Sequence, residues 1–167
     1  MLRLASYDIV FQEIPGEVTL ALNLAGCPNG CPGCHSPHLQ QDTGEELDEA
    51  LLAGLLDRYG TAVTCVCFMG GDGDPAEVQR LALLVQQWGG GETGKDTSGG
   101  KKLKTGWYSG RGTLPAGFDA GCTDYIKLGP YVERLGGLDS PTTNQRLYRV
   151  EGGGLTDITP LMRKGPA

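Results

Sequence analysis

The sequence predicts an α/β fold with a parallel sheet, because strand-like and helical segments alternate along the chain. Residues 18–26 alternate in polarity and end at a glycine, a pattern typical of a strand. Residues 62–71 form a continuous apolar run, as expected of a strand buried on both faces of a sheet. Helical patterns over 45–60 and 74–88 follow these strands. A repeated strand–helix order predicts parallel strands joined by right-handed crossovers.

Both predicted helices have one apolar face and recognisable ends. The segment 45–60 stops at Gly60, and the leucines that share one face of this helix are Leu47, Leu51, Leu52, Leu55 and Leu56. The segment 74–88 begins with Asp74 in the N-cap position and Pro75 in the first turn, where proline is favoured. Further strands are predicted over 102–110 and 123–131, with a short helix near 113–119.

Length and composition indicate one domain spanning residues 1–167, since 39% of its residues are hydrophobic and can form a sizeable core. The run 89–102 contains many glycines and no apolar residue, so we expect a flexible loop there. The part of the chain from about residue 132 is less periodic, and no element is assigned to it.

The charge balance and the chain start exclude several classes of partner. A net charge of -6 is unlike the basic surface of a phosphate-backbone binder, so we expect no nucleic-acid partner. Asp8 and Glu13 precede any long apolar run, so no signal peptide is predicted. No apolar stretch is long enough to cross a bilayer. We therefore expect a cytoplasmic protein without a membrane partner.

Two motifs follow the first two core strands. Cys27, Cys31 and Cys34 come after the first strand, and the glycine-rich sequence MGGDGD (residues 69–74) ends the second. The carboxyl ends of parallel strands meet at one edge of the sheet, and ligands of α/β proteins bind there. The two motifs are therefore predicted to share one site.

The three clustered cysteines admit two interpretations. They can bind three corners of an iron–sulfur cluster and leave one iron open, although such clusters usually have four cysteine ligands. With His38 they can instead form a Cys3His zinc site. Their position directly after a buried strand favours the cluster. The remaining cysteines, Cys65, Cys67 and Cys122, are predicted to be unliganded, the first two as small core side chains.

The C-x3-C-x2-C spacing resembles the signature of the radical S-adenosylmethionine (SAM) enzymes. Gly70, Gly71 and Asp72 resemble the Gly-Gly-Glu motif of that superfamily, with aspartate in place of glutamate. More closely, the segments LNLAGCPNGCPGCHSP, FMGGDGD, KTGWYSG, DYIKLGPYVE and TTNQRLYRV resemble, in the same order, those of anaerobic ribonucleoside-triphosphate reductase activating proteins. The resemblance covers most of residues 1–150.

The resemblance implies a fold, two cofactors and their ligands. The fold would be a partial (β/α) barrel of the radical SAM type, open on the substrate side. Cys27, Cys31 and Cys34 would hold a [4Fe–4S] cluster, whose open iron would be chelated by SAM. Reductive cleavage of SAM would then give methionine and a 5′-deoxyadenosyl radical.

The same resemblance implies further contacts of SAM. The backbone of Gly70 and Gly71 would approach its methionine moiety, because glycine has no side chain to obstruct it. Asp72 would lie near its amino group. Further candidate contacts are Ser109 and Lys127, near predicted strand ends, and His35, which follows the last cysteine.

The implied activity is that of an activase, which forms a glycyl radical on anaerobic ribonucleoside-triphosphate reductase. The partners would be this reductase, as a protein substrate, and a reductant such as flavodoxin or ferredoxin. Two alternatives stay open: a small radical SAM enzyme that acts on a metabolite, and a non-catalytic Cys3His zinc- or cluster-binding module.

Overall fold

One mixed sheet of eight strands is the framework of the computed structural model, which describes residues 1–34, 37–88 and 102–162. The strands are β1 (Arg3–Val10), β2 (Thr19–Leu24), β3 (Glu45–Glu46), β4 (Cys65–Met69), β5 (Lys104–Tyr108), β6 (Tyr125–Leu128), β7 (Arg146–Glu151) and β8 (Gly154–Asp157). Their order in the sheet is β3-β1-β2-β4-β5-β6-β7-β8.

The four central strands, β2, β4, β5 and β6, are parallel, and antiparallel strands flank them on both sides. Leu20 pairs with Val66, Val66 with Thr105, and Gly106 with Tyr125. This register brings the carboxyl ends of the four strands to one edge of the sheet. We call this edge, together with the loops that leave it, the carboxyl edge.

Two α-helices cover one face of the sheet: α1 (Glu49–Tyr59) and α2 (Pro75–Gln87). The Asp48 carboxylate caps α1 by accepting a hydrogen bond of 2.8 Å from the Leu51 amide. Asp74 caps α2, and Pro75 occupies its first turn, as the sequence predicts. The first helix starts later than expected, because Glu45 and Glu46 pair with β1 before Asp48 begins the helix.

Alternate residues of β4 face two different apolar clusters, one on each face of the sheet. The helix-covered face buries Leu20 and Leu22 of β2 with Val66 and Phe68 of β4. The opposite face buries a smaller cluster, formed by Ile14, Cys65, Cys67, Tyr125, Leu138, Leu147 and Ile158. The prediction that Cys65 and Cys67 are core side chains is therefore confirmed, and Cys122 is buried as well.

The predicted partial (β/α) barrel is wrong. The structure has an eight-stranded mixed sheet, and its described residues include two α-helices only. Strand β1 and the β7–β8 hairpin add antiparallel pairs where a barrel would require further parallel strand–helix units. The helix expected near 113–119 is absent; a short 3-10 turn at Ala120–Cys122 replaces it. Pro115 and Gly117 explain this difference, because both residues are poor helix formers.

In the described residues, no helix combines the length and apolar character needed to cross a membrane. The glycine-rich loop predicted over residues 89–102 lies outside the described residues, apart from its last residue, Lys102.

Candidate functional site

The cysteine loop, residues 25–34, leaves the carboxyl edge directly after β2. Two backbone hydrogen bonds to the returning chain fix its start: the Gly26 amide donates to the Gln41 carbonyl (3.0 Å) and the Cys27 amide to the Leu39 carbonyl (2.9 Å). Cys27, Cys31 and Cys34 are all half-buried in this loop. None of the six cysteines, all of them described, forms a disulfide. Three accessible sulfur atoms thus lie on one short loop.

Asp72, which follows β4, connects this loop to the sheet. Only 1% of its surface is exposed. One carboxylate oxygen accepts a hydrogen bond of 2.6 Å from the Ser109 hydroxyl. The other accepts hydrogen bonds from the Gly110 amide (2.8 Å) and from the Asn29 side-chain amide (2.5 Å). A buried carboxylate needs such partners, and Asp72 obtains them from the loops that follow β2 and β5.

The Asn29 side chain lies between the Asp72 carboxylate and a cysteine and links the two. Its side-chain nitrogen lies 3.4 Å from the sulfur of Cys27. The close approach depends on Gly110, because a Cβ atom there would lie 2.5 Å from that nitrogen. Sequence analysis identified neither Asn29 nor Gly110. The one feature of the sequence that could have pointed to Asn29 is its position between Cys27 and Cys31.

Lys127, near the end of β6, places a buried positive charge under the same site. Its side chain is 8% exposed, and its Nζ donates hydrogen bonds of 3.0 Å to the carbonyls of Ser109 and Gly129. Burial lowers the pKa of Lys127 to about 8, and negative charge on Asp72 and on the three loop cysteines opposes that shift. The three cysteines and Asp72 are therefore within electrostatic range of one ammonium group.

Gly70 and Gly71 form the turn that links β4 to Asp72, with φ angles of 107° and 89°. The Gly70 carbonyl accepts a hydrogen bond of 2.7 Å from the Trp107 indole. A Cβ atom on Gly71 would lie 2.7 Å from a methyl group of Val78 and 3.0 Å from one of Leu24. Both glycines are thus required by backbone conformation or packing, whatever binds at the turn.

The structure brings together most of the residues that the sequence singles out. Hydrogen bonds connect Cys27, through Asn29, with Asp72, Ser109 and Lys127. Cys31 and Cys34 follow on the same loop, and Gly70 and Gly71 directly precede Asp72. Ser109 is fully buried against Asp72, so its hydroxyl orients the carboxylate. His35 lies outside the described residues.

The Cys3His zinc set is not assembled in the structure. His38 is exposed in the 3-10 turn Pro37–Gln40. Among residues 1–34, 37–88 and 102–162, no group of three or more histidine, cysteine or acidic side chains is placed to hold a metal ion. The same finding applies to Cys27, Cys31 and Cys34, which are among these residues.

A cavity of about 440 Å³ opens beside the cysteine loop, between Pro32 and the segment 131–134 that follows β6. The loop also packs closely against that segment at Gly33, where a Cβ atom would lie 2.7 Å from the Glu133 carboxylate. The cysteine loop is therefore flanked by open space on one side and held by Asp72 on the other.

Comparison of the chain with protein-family models, curated proteins and solved structures gives no match. Function is therefore inferred from the residues of the carboxyl edge.

Proposed function

We propose that the protein is a radical SAM activase that forms a glycyl radical on anaerobic ribonucleoside-triphosphate reductase. The observation that carries this proposal is the cysteine loop, which has three half-buried cysteines and is linked through Asn29 to the buried Asp72. The order of the sequence segments named above supports the specific partner. The fold adds no support, because fold and function are separable.

We propose that Cys27, Cys31 and Cys34 would hold a [4Fe–4S] cluster at the carboxyl edge, as their spacing suggests. Three thiolates give the site a negative charge, which the Lys127 ammonium group offsets. Its pKa of about 8 keeps this group mostly protonated at neutral pH. When bound and reduced, the cluster supplies the electron that cleaves SAM. Because only three cysteines would hold the cluster, SAM would bind at the iron without a cysteine ligand.

The turn at Gly70 and Gly71 is the proposed contact for the methionine part of SAM. Asp72 and Ser109 act beneath this turn, where they orient the cysteine loop and the loop after β5. A direct contact of Asp72 with the SAM amino group stays a prediction, and the Asp72 oxygens already accept three hydrogen bonds from the protein. Lys127 likewise acts through charge and backbone contacts from its buried position.

The proposed substrate is macromolecular, and the half-buried cysteines of the carboxyl edge are partly accessible to it. A glycine-containing segment of the reductase would approach this edge and donate a hydrogen atom. The resulting backbone radical is stabilised by its flanking amide groups. We propose a cytoplasmic setting, with flavodoxin or ferredoxin as reductant.

The test is anaerobic reconstitution with iron and sulfide, followed by incubation with reductant, SAM and the reductase. We expect slow SAM cleavage by the protein alone, faster cleavage with the reductase, and a glycyl-radical doublet in the electron paramagnetic resonance (EPR) spectrum. A reductase whose radical glycine is replaced by alanine should give no doublet. Bound zinc without iron would instead indicate a zinc module. Rapid SAM cleavage coupled to a small molecule would indicate a metabolite enzyme.

A further inference from the structure

Asn29 lies within the cysteine loop, yet its side chain reaches two groups that differ in chemistry. Its amide nitrogen lies 2.5 Å from the Asp72 carboxylate and 3.4 Å from the Cys27 sulfur. A carboxylate only accepts hydrogen bonds, so the nitrogen of the amide, and not its oxygen, must face Asp72. The amide group has two hydrogens. One can serve Asp72 while the other points to Cys27.

Asp72 and Gly110 hold the Asn29 amide in this position. Asp72 is 1% exposed, and the Ser109 hydroxyl at 2.6 Å fixes its other oxygen. The Gly110 amide donates to the same oxygen as Asn29, at 2.8 Å. A side chain at position 110 would collide with the Asn29 amide, since a Cβ atom there would lie 2.5 Å from its nitrogen and 3.1 Å from its Cγ. The amide of the exposed Asn29 residue therefore lies closely against Gly110 and Asp72.

We propose that Asn29 is a positioning residue that orients Cys27 and raises the reduction potential of the cluster bound there. The inference rests on the proposed function, since it needs a cluster on Cys27. Reduction adds negative charge to the cluster and its sulfur ligands. A hydrogen bond donated to a ligand sulfur stabilises that charge, so it favours the reduced state. Reduction is the step that starts SAM cleavage.

The test is an EPR-monitored redox titration of the reconstituted protein and of Asn29→Leu, in which leucine keeps the branched shape and removes the donors. We expect a midpoint potential more negative than that of the wild type at equal iron content. Asn144→Leu is the matched control, because Asn144 is exposed like Asn29 but its amide donates to the Pro130 carbonyl and not to a cysteine. Its midpoint potential should be unchanged. An unchanged potential in Asn29→Leu, with iron fully retained, would overturn the inference.

A second variant tests the inference if Asn29→Leu fails to bind the cluster. Gly110→Ala leaves Asn29 and Cys27 intact but pushes the amide out of place. We expect a shift in the same negative direction, and a wild-type potential in this variant at equal iron content would count against the inference. Iron loss from both variants, with wild-type circular dichroism, would support the positioning of Cys27 by this amide.

Failure of the proposed function has a different signature. A wild-type protein that binds no iron, or whose iron does not cleave SAM, would refute the activase proposal. Normal iron content and SAM cleavage, with identical potentials in all variants, would refute only the role of Asn29.

Discussion

The cysteines of this chain divide into two groups with different surroundings. Cys27, Cys31 and Cys34 are half-buried at the carboxyl edge, whereas the remaining three are fully buried. Burial raises the pKa of Cys67 well above its ordinary value, and raises that of Cys122 to about 12. A buried thiol of this kind remains protonated and is a poor metal ligand. Among the six cysteines, only those of the cysteine loop are therefore expected to bind a metal at neutral pH.

The first prediction tests this division. Replacing Cys27, Cys31 or Cys34 by alanine should abolish stable iron binding, because two thiolates cannot hold the cluster. Cys65→Ala should retain iron and cost only about 1 kcal/mol of stability through a small cavity. Iron and sulfide content after anaerobic reconstitution is the measurement. Equal iron loss in Cys65→Ala and Cys31→Ala would contradict the assignment.

The second prediction concerns Lys127, whose pKa falls from 10.5 to about 8 on folding because the side chain is buried. Below pH 8 both states are protonated, and the buried charge destabilises the fold. Between pH 8 and 10.5 the unfolded chain binds more protons, so this residue makes stability rise with pH. The stability of the wild type relative to Lys127→Met should therefore increase by up to about 3 kcal/mol across that range.

Urea denaturation at several pH values measures this difference. Lys102→Met is the matched control, because it removes a lysine at an exposed position. A difference between Lys127→Met and the wild type that stays constant from pH 7 to 10.5 would contradict the predicted titration.

At the scale of elements, the turn between β4 and α2 serves packing and the site at once. Gly71 has a φ angle of 89°, and its missing side chain leaves room for Val78 of α2 and Leu24 of β2. Two positions later, Gly73 faces open space, where the nearest atom to an added Cβ is the Gly26 carbonyl at 3.8 Å. The same motif thus contains one glycine that the fold requires and one that it tolerates.

The third prediction compares these two glycines. Gly71→Ala should lower the free energy of unfolding by roughly 2–4 kcal/mol, from strained backbone and overpacking. Gly73→Ala should change it by less than about 0.5 kcal/mol. Urea denaturation of both variants provides the comparison. Similar stabilities for the two would show that the Gly71 position can relax.

The elements that were predictable from sequence carry strong local signals. The apolar run of β4 and the Asp74–Pro75 start of α2 are examples. Strand β8 has no such signal, because all four of its residues are exposed and it forms only by pairing with β7. The cysteine motif predicted the position of the candidate site. The contact between Asn29 and Asp72 joins residues 43 positions apart, so no local pattern could reveal it.

At the scale of the whole molecule, a second buried polar cluster lies at the opposite edge of the parallel strands. Glu17 is 7% exposed and accepts hydrogen bonds from Lys104 (2.8 Å), Tyr125 (2.9 Å) and Thr64 (2.5 Å). Burial alone would raise the pKa of Glu17, but these hydrogen bonds outweigh it and lower the pKa. The cluster joins the starts of four strands, far from the cysteine loop.

The fourth prediction follows from this separation. Glu17→Gln should lower the free energy of unfolding at pH 7 by roughly 1–3 kcal/mol and leave iron content unchanged. The lowered pKa means that Glu17 stabilises the fold above its ordinary pKa and that this contribution is lost in acid. The variant should therefore lose less stability than the wild type as the pH falls below about 4.5. Glu151→Gln serves as the control, because Glu151 is exposed. If the free energy of unfolding depended on pH in the same way in both variants, the role of Glu17 would be refuted.

Because three cysteines are half-buried and three are fully buried, the number of cysteines that can be alkylated measures unfolding of the chain. Iodoacetamide added to the native, iron-free protein should alkylate the three loop cysteines and leave the other three unmodified. Mass spectrometry would then count three adducts on native molecules and six on molecules that had opened. The rise from three to six with time or denaturant would measure how often the sheet core opens, without any added label.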